Sequence, residues 1–452
     1  MKNVKLKKQI LSGALAAAML AALTACAGKE QDGSGTDTAG TENSVAEDYK
    51  GITLRFVADN HSWTTSMEEV IAEFEEETGA KVEIESYSED NLLSKLNVEF
   101  AGNSESMDVV MFRPPLDAGT FIGNGWLEPL DRFIEEDTEF EYADVNASAS
   151  EPCIKEESVY GIPVVTEVEI LYYRKDILEE YEIDVPATFD ELLAAVEKVT
   201  DKEKEQYGFV ARGALSPSVT QCAGFVFSNG ADWVSEDLKT CTVTDEKVID
   251  AICLYGELLG KYGPPGITNM SWSEVMTLFA QGNAVFATEA SATASVVTDP
   301  ESSSVYENVG FTMFPSAAEG EDPVPYNISA WALGMNSNSK NKEAAWALIS
   351  RLAGKEAQAK AQDEGVSTAR SSSWANAEAT DLFPQELLDL VASCNDIGRG
   401  YNFVAFGQNV QEARNLVGSV VTASIESGGD YDTVMKAAED IKEDFQDILD
   451  HQ

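Results

Sequence analysis

Asp108-Val109-Val110-Met111-Phe112 sets four consecutive apolar side chains between an acid and Arg113. A strand wetted on one face alternates apolar and polar residues. An unbroken apolar run of this length reads as a parallel strand covered on both faces. The chain before it supplies partners. Leu54, Phe56 and Val57 read as a strand ending at Asp59. Ser66-Met67-Glu68-Glu69 fits a capping box, Met67, Val70, Ile71 and Phe74 share one helical face, and Thr78-Gly79 stops that helix. Val82 and Ile84 alternate with charged neighbours as a second strand, and a helix over 92–100 leads into the apolar run. This strand-helix-strand-helix-strand order predicts a doubly wound α/β lobe.

The alternation recurs downstream. Tyr160-Gly161-Ile162-Pro163-Val164-Val165 leads to a strand near Ile170-Leu171-Tyr172-Tyr173. Thr188-Phe189-Asp190-Glu191 forms another capping box before Leu192, Leu193, Val196 and Val199 on one face. Short strands are expected at 207–210, 284–287 and 309–314, with a helix near 274–280. The last quarter reads as helices over 341–352, 384–393, 408–425 and 432–449. The 452 residues suggest two or three domain-sized units. No boundary linker follows Lys50, so two interleaved lobes around a cleft fit better than two beads on a string.

The chain opens with Lys2, Lys5, Lys7 and Lys8, then an apolar stretch from Ile10 that ends at Leu23-Thr24-Ala25-Cys26. A basic start, a short apolar stretch and small residues before a cysteine describe an export signal, too short and too rich in Ala, Gly and Ser for a permanent span. The tetrapeptide resembles the lipobox of bacterial lipoproteins, in which the cysteine is diacylated and becomes the mature N-terminus; the alternative is an ordinary cleaved signal. The expected organisation is a signal over 1–25 and a flexible linker over 26–50, whose Gly, Ser, Thr, Asp and Glu cannot collapse into a core. One lobe is then expected over 51–162 plus about 297–340, the other over 163–296 plus about 341–452.

Seventy-nine acidic residues face 31 basic ones, a formal net charge of −48. Such a surface repels phosphate backbones and anionic lipid head groups, so nucleic-acid binding is disfavoured. As a solubilising coat it names no ligand. Beyond Cys26 stand Cys153, Cys222, Cys241, Cys253 and Cys394, an odd number without Cys-x-x-Cys spacing. Cys222 and Cys241 flank a loop and are the candidate disulfide pair; burial as small apolar side chains is the default for the rest. With only His61 and His451, a His-rich metal site is excluded, and neither metal nor cofactor is expected.

Five stretches together resemble the extracellular solute-binding proteins of sugar ABC importers, the group that includes maltose-binding protein. They are Asp108–Phe112 with Gly125-Trp126-Leu127-Glu128-Pro129-Leu130; Tyr160-Gly161-Ile162-Pro163 through Asp176, then Pro186 to Leu192; Phe279-Ala280-Gln281-Gly282-Asn283-Ala284-Val285-Phe286; Asp299-Pro300 to Val305, then Val309-Gly310-Phe311 and Pro315; and Trp331 through Trp346 with Ser367-Thr368-Ala369-Arg370 downstream. The fourth leans toward the multiple-sugar and polyol branch. The resemblance implies a periplasmic-binding-protein-like α/β fold, two lobes with a hinge crossed three times, and a monomer that delivers a carbohydrate to membrane permease subunits. The lipid at Cys26 would hold it outside the cell membrane.

A sugar offers apolar C–H faces and a rim of hydroxyls, so its site needs aromatic platforms with fixed carboxylates, amides or Arg forks. Ligands of open α/β sheets sit beyond the carboxyl ends of strands. That rule selects Asp59, His61 and Trp63 after the first strand, or else a turn that caps backbone amides. It selects Arg113 after the apolar run, as a fork to hydroxyls or as an ion pair with a nearby acid. The resemblance aligns Glu167 with a ligand-contacting glutamate past the first hinge crossing; Glu169 alternates with it. Glu289 stands where relatives place Gly-Pro-Trp, exchanging an aromatic for a carboxylate. Trp331 near a hinge strand, the loop aromatic Trp233, and Phe403 (or Tyr401) in a region where some relatives supply a stacking ring complete the aromatic candidates. Arg370 is a cleft arginine or an ion pair. Non-enzymatic capture is the leading reading; a surface-tethered glycoside hydrolase and a ligand-sensing component docking to a membrane receptor are the alternatives.

Overall fold

The computed structural model describes residues 49–376, 379–380, 382–395, 399–400 and 409–451. Cys26 with the signal and linker, and the stretch holding Tyr401 and Phe403, lie outside the described residues. In chain order the strands are β1 (Thr53–Asp59), β2 (Lys81–Tyr87), β3 (Val109–Phe112), β4 (Ile154–Lys155), β5 (Ser158–Val159), β6 (Ile162–Arg174), β7 (Tyr207–Val210), β8 (Ala284–Ala290), β9 (Val309–Met313) and β10 (Asn327–Met335). β4 and β5 make a small hairpin; the others join in the order β2-β1-β3-β10-β6-β8-β7, with β9 also on β6. β1 is parallel to both β2 and β3, and β3 is buried at every position. The unbroken apolar run thus has the double cover it requires.

β6 carries the architecture. Residues 162–168 pair antiparallel with β10, which pairs in turn with β3. Residues 169–174 leave that sheet and lie between β8 and β9. One strand therefore belongs to two sheets, at the edge of the first and inside the second. β10 returns antiparallel to it, and its ladder slips at Ser329/Trp331 and again at Trp331/Ala332.

The cores follow the sheets. The first half buries Leu54, Phe56, Val110, Phe112, Leu333 and Trp346 together. The second half has a core on each face of its sheet. One is built around Leu171, Phe209, Phe225, Ile252 and Val421, the other around Ile170, Met276, Phe279, Phe311 and Leu387.

Two expected lobe assignments are corrected by these cores. Val297, Val305, Val309 and Phe311 pack in the second half, because β9 pairs with the far part of β6. The helices Lys342–Leu352 and Lys355–Asp363 pack in the first half, through Ala345, Leu348, Ile349 and Ala361. The chain therefore passes between the halves along β6, along β10, and again after Thr368, which bridges Val165.

Local signals fare unevenly. The Thr188–Glu191 capping box is present, with Thr188 Oγ1 accepting from Glu191 N–H at 3.3 Å and Glu191 Oε2 accepting from Thr188 N–H at 3.2 Å. Gly79 ends its helix at φ 73°, a conformation that favours glycine. The box expected at Ser66 does not form: Ser66 Oγ donates to the Trp63 carbonyl at 2.8 Å and closes the preceding helix, Ser62–Ser66. Cys153, Cys222, Cys241, Cys253 and Cys394 are all free thiols, so Cys222 and Cys241 do not bridge. Among the described residues no helix is long and apolar enough to cross a membrane.

The tightest helix pair of the second half sets a test. Glu246–Tyr262 meets Val410–Ser427 at Gly256, where an added Cβ would lie 2.0 Å from Ser424 Oγ and 2.5 Å from its carbonyl carbon. Backbone cannot yield cheaply there. Gly256→Ala should lower the unfolding free energy by about 1–3 kcal/mol in urea titrations, through overpacking.

Candidate functional site

β1 and β3 point their carboxyl ends the same way, and so do β7 and β8. The paired registers bring these ends to the level where β6 and β10 pass between the halves. Phe112 at the end of β3 lies opposite Ala332, Trp331 lies opposite Val165, and Ala290 at the end of β8 lies opposite Glu169. A site beyond the strand ends is therefore walled by both halves.

From the first half, Asp59 is the buried last residue of β1. His61 caps the next helix, its Nδ1 accepting from the Trp63 N–H at 3.0 Å. An acceptor nitrogen requires the neutral ring, and burial lowers the imidazole pKa to about 4. The His61 and Trp331 rings lie 6.4 Å apart between centroids, tilted by 54°. Trp331 is only 6% exposed and Trp63 is wholly buried in the first core. Trp63 is thus a wall of the site from behind, not the open platform expected of it. Arg113 folds back on its own helix: Nε and Nη2 each donate to Asp117 at 3.3 Å, and its backbone N–H donates to Asp117 Oδ2 at 2.9 Å.

From the second half, Glu289 is fully buried and held by a two-pronged ion pair. Arg212 Nε donates to Glu289 Oε2 at 2.8 Å, Nη2 donates to Oε1, and the Ala290 N–H adds a donor at 2.9 Å. Tyr255 Oη donates to the Arg212 carbonyl at 2.6 Å, fixing the loop after β7. Burial opposes the guanidinium charge, but Glu289 outweighs it and holds the Arg212 pKa well above its ordinary value. Glu167, half-buried and paired with Ile328, lies close enough to favour that charge too. Arg212 escaped the sequence reading, although it stands two residues beyond the strand at 207–210 and the same strand-end rule selects it.

The other predicted residues are not brought together here. Trp233 is 1% exposed in the second core, beside Val234 and Cys241. Arg370 is 1% exposed and donates to three carbonyls on two segments: Nε to Ala353 at 2.8 Å, Nη2 to Phe140 at 2.8 Å, and Nη1 to Glu141 at 3.1 Å. Its guanidinium also lies over the Phe140 ring and pairs with Asp144. It is a strut of the first half, not a ligand fork. Phe403 lies outside the described residues.

Known proteins share this arrangement. The bacterial extracellular solute-binding protein family matches residues 59–359, well over half of the chain. The chain belongs to that family. Within it, the erythritol/L-threitol-binding protein of Mycolicibacterium smegmatis is 24% identical over 343 residues, covering 70% of this chain and 69% of that one. An ABC transporter solute-binding protein of Agrobacterium radiobacter K84, solved in complex with ribitol, superposes with a TM-score of 0.73 at 25% identity over 86% of this chain and 99% of its own. A solute-binding protein of Agrobacterium vitis S4 with bound D-mannitol gives 0.71 at 25% identity, over 87% and 97%. The fold is the periplasmic-binding-protein-like one, two interleaved lobes with a hinge and a cleft between them.

In this solute-binding protein the neutral His61 carries a pH signature. An exposed imidazole titrates near 6.5 and His61 near 4, so between these values the unfolded chain takes up a proton that the native chain refuses. Stability should therefore fall as pH drops through that window. His61→Asn keeps a capping acceptor and removes the titration. The difference in urea midpoint between wild type and His61→Asn should shift against wild type from pH 7 to pH 4.5; a pH-independent difference contradicts the buried neutral ring.

Proposed function

We propose that this protein captures a short acyclic polyol or small sugar between its lobes and delivers it to the permease of an ABC importer. A lipid on Cys26 holds it at the outer face of the cell membrane. One observation carries the reading. His61 stands against Trp331 on β10, and Glu167 on β6 stands close to the Arg212–Glu289 pair of the second half, so the two crossing strands carry both groups. Hydroxyl-rich ligands need oriented donors and acceptors more than net charge. Arg212, its fork occupied by Glu289, retains N–H groups for a ligand, and His61 retains Nε2. The Trp331 indole supplies the apolar side.

Binding then works by differential contact: a ligand touching both lobes favours the closed arrangement. A permease that recognises that arrangement distinguishes loaded from empty. The tether raises the concentration at which the two meet. The polyols named for the relatives support the ligand class. Of the acids near the strand ends, Glu289 is locked to Arg212 and Glu169 is fully buried, so neither is placed for a glycosidase's paired carboxyl chemistry.

Isothermal titration against erythritol, ribitol, D-mannitol and maltotriose, with chromatography of the recovered mixtures, tests this directly. Stoichiometric binding of a polyol with unchanged ligand recovered is expected; product formation would sink the reading. Glu167→Ala should weaken the tightest ligand by about 1–3 kcal/mol, the scale of hydrogen bonds to a charged group. An unchanged dissociation constant would remove Glu167 from the site. Cys26→Ala should abolish incorporation of labelled palmitate and release the protein from the membrane fraction.

A further inference from the structure

Glu169, Gln221 and Tyr326 form a closed ring of hydrogen bonds that the binding reading leaves unused. Gln221 Nε2 donates to Glu169 Oε1 at 3.4 Å, and Tyr326 Oη donates to Gln221 Oε1 at 3.1 Å. The Glu169 N–H donates to the Tyr326 carbonyl at 3.0 Å and closes the circuit. All three residues have zero exposure. They come from three places: β6, the helix Leu215–Ser228, and the segment leading into β10. The helix is shaped for this ring, because a Cβ on Gly224 would lie 1.9 Å from Glu169 Oε2. The same helix holds the incoming segment a second time, Ser228 Oγ accepting from the Val324 N–H at 2.9 Å.

We infer that this ring is a positioning device for the hinge: it fixes β6 and β10 to the second half at the point where they leave it, and so sets where Glu167 stands. Glu169 lies two residues from Glu167 along the strand. Tyr326 directly precedes Asn327 and Ile328, which pair with Val168 and Glu167. Both crossing strands are thus gripped within two residues of the Glu167–Ile328 pairing. Among the titratable groups around the ring are Glu289 and Arg212 at the strand ends, Tyr255 on the neighbouring helix and Cys222 beside Gln221. Burial first, and then Glu289, raise the Glu169 pKa well above the ordinary carboxylate value, so this acid keeps its proton where an exposed one is ionised. A neutral carboxyl is compatible with a dry ring; an ionised one would draw water into the hinge.

The inference rests on the proposed binding role of Glu167, and amide exchange of the ligand-free full chain separates the two. Tyr326→Phe and Glu169→Leu should speed exchange of the amides at 165–170 and 327–331 by about ten-fold or more, the scale of one buried hydrogen bond lost locally. The helices Glu246–Tyr262 and Val410–Ser427 should keep wild-type protection. Glu169→Gln, a neutral isostere, should stay within about three-fold of wild type. Uniform acceleration across the second half, or none at the two strands, overturns the positioning role. Titration with D-mannitol and ribitol then asks about the ligand. Tyr326→Phe should weaken the bound polyol about ten-fold while Glu169→Gln holds it. Unchanged affinity in Tyr326→Phe overturns the link to Glu167. Should wild type bind neither a polyol nor a small sugar, the functional reading fails, and the exchange pattern alone decides whether the hinge is positioned in this way.

Discussion

Every backbone donor and acceptor buried between the halves must find a partner, and β6 meets that constraint by changing partners in mid-strand. Up to Val168 its ladder is β10; from Glu169 onward it is β8 and β9. At the change itself a side chain steps in, with Ser291 Oγ accepting from the Val168 N–H at 3.3 Å. β10 absorbs its share of the irregularity in the ladder slips around Trp331. A regular strand on either side of one irregular point is stiff everywhere else. The irregular points of both crossing strands stand near the level of the candidate ligand residues.

At the candidate site the arginines are held in ion pairs. In a chain with a net charge of −48 an unpaired arginine is improbable anywhere, and the three near or behind the cleft are committed. Arg113 is turned onto Asp117, Arg212 onto Glu289, and Arg370 onto carbonyls of the first half. A buried ion pair contributes little net stability, because desolvation offsets attraction. What it contributes is fixed direction, which is what a ring of hydroxyls needs in order to be told from another ring of hydroxyls.

How much was legible follows from the range of the forces. The apolar run at 109–112, the alternation after Lys81 and the capping box at Thr188 are local physics, and each appears where its residues predict. Lobe membership is not local. The strand at 309–313 joins the second half through its pairing with 170–174, and the helices after Asn341 join the first because β10 has already returned there. For Arg370 the ion-pair reading holds, with Asp144, while its carbonyl partners some 230 residues upstream are beyond local reading. Trp233 resembles a loop platform in sequence but sinks into a core assembled from distant helices. Of the site, Asp59, His61, Glu167 and Glu289 were reachable from strand ends and family likeness. Arg212 needed only the same rule applied once more.

The five free thiols carry a consequence for how such a chain matures. Cys153, Cys222, Cys241 and Cys394 are buried, Cys253 is half-buried, and burial raises the pKa of each above that of an ordinary cysteine. Little thiolate forms at these five positions, so they react slowly with oxidants in the folded chain. Among the described residues no covalent cross-link holds the lobes. The two halves can assemble as readily in oxygen-free surroundings as in air.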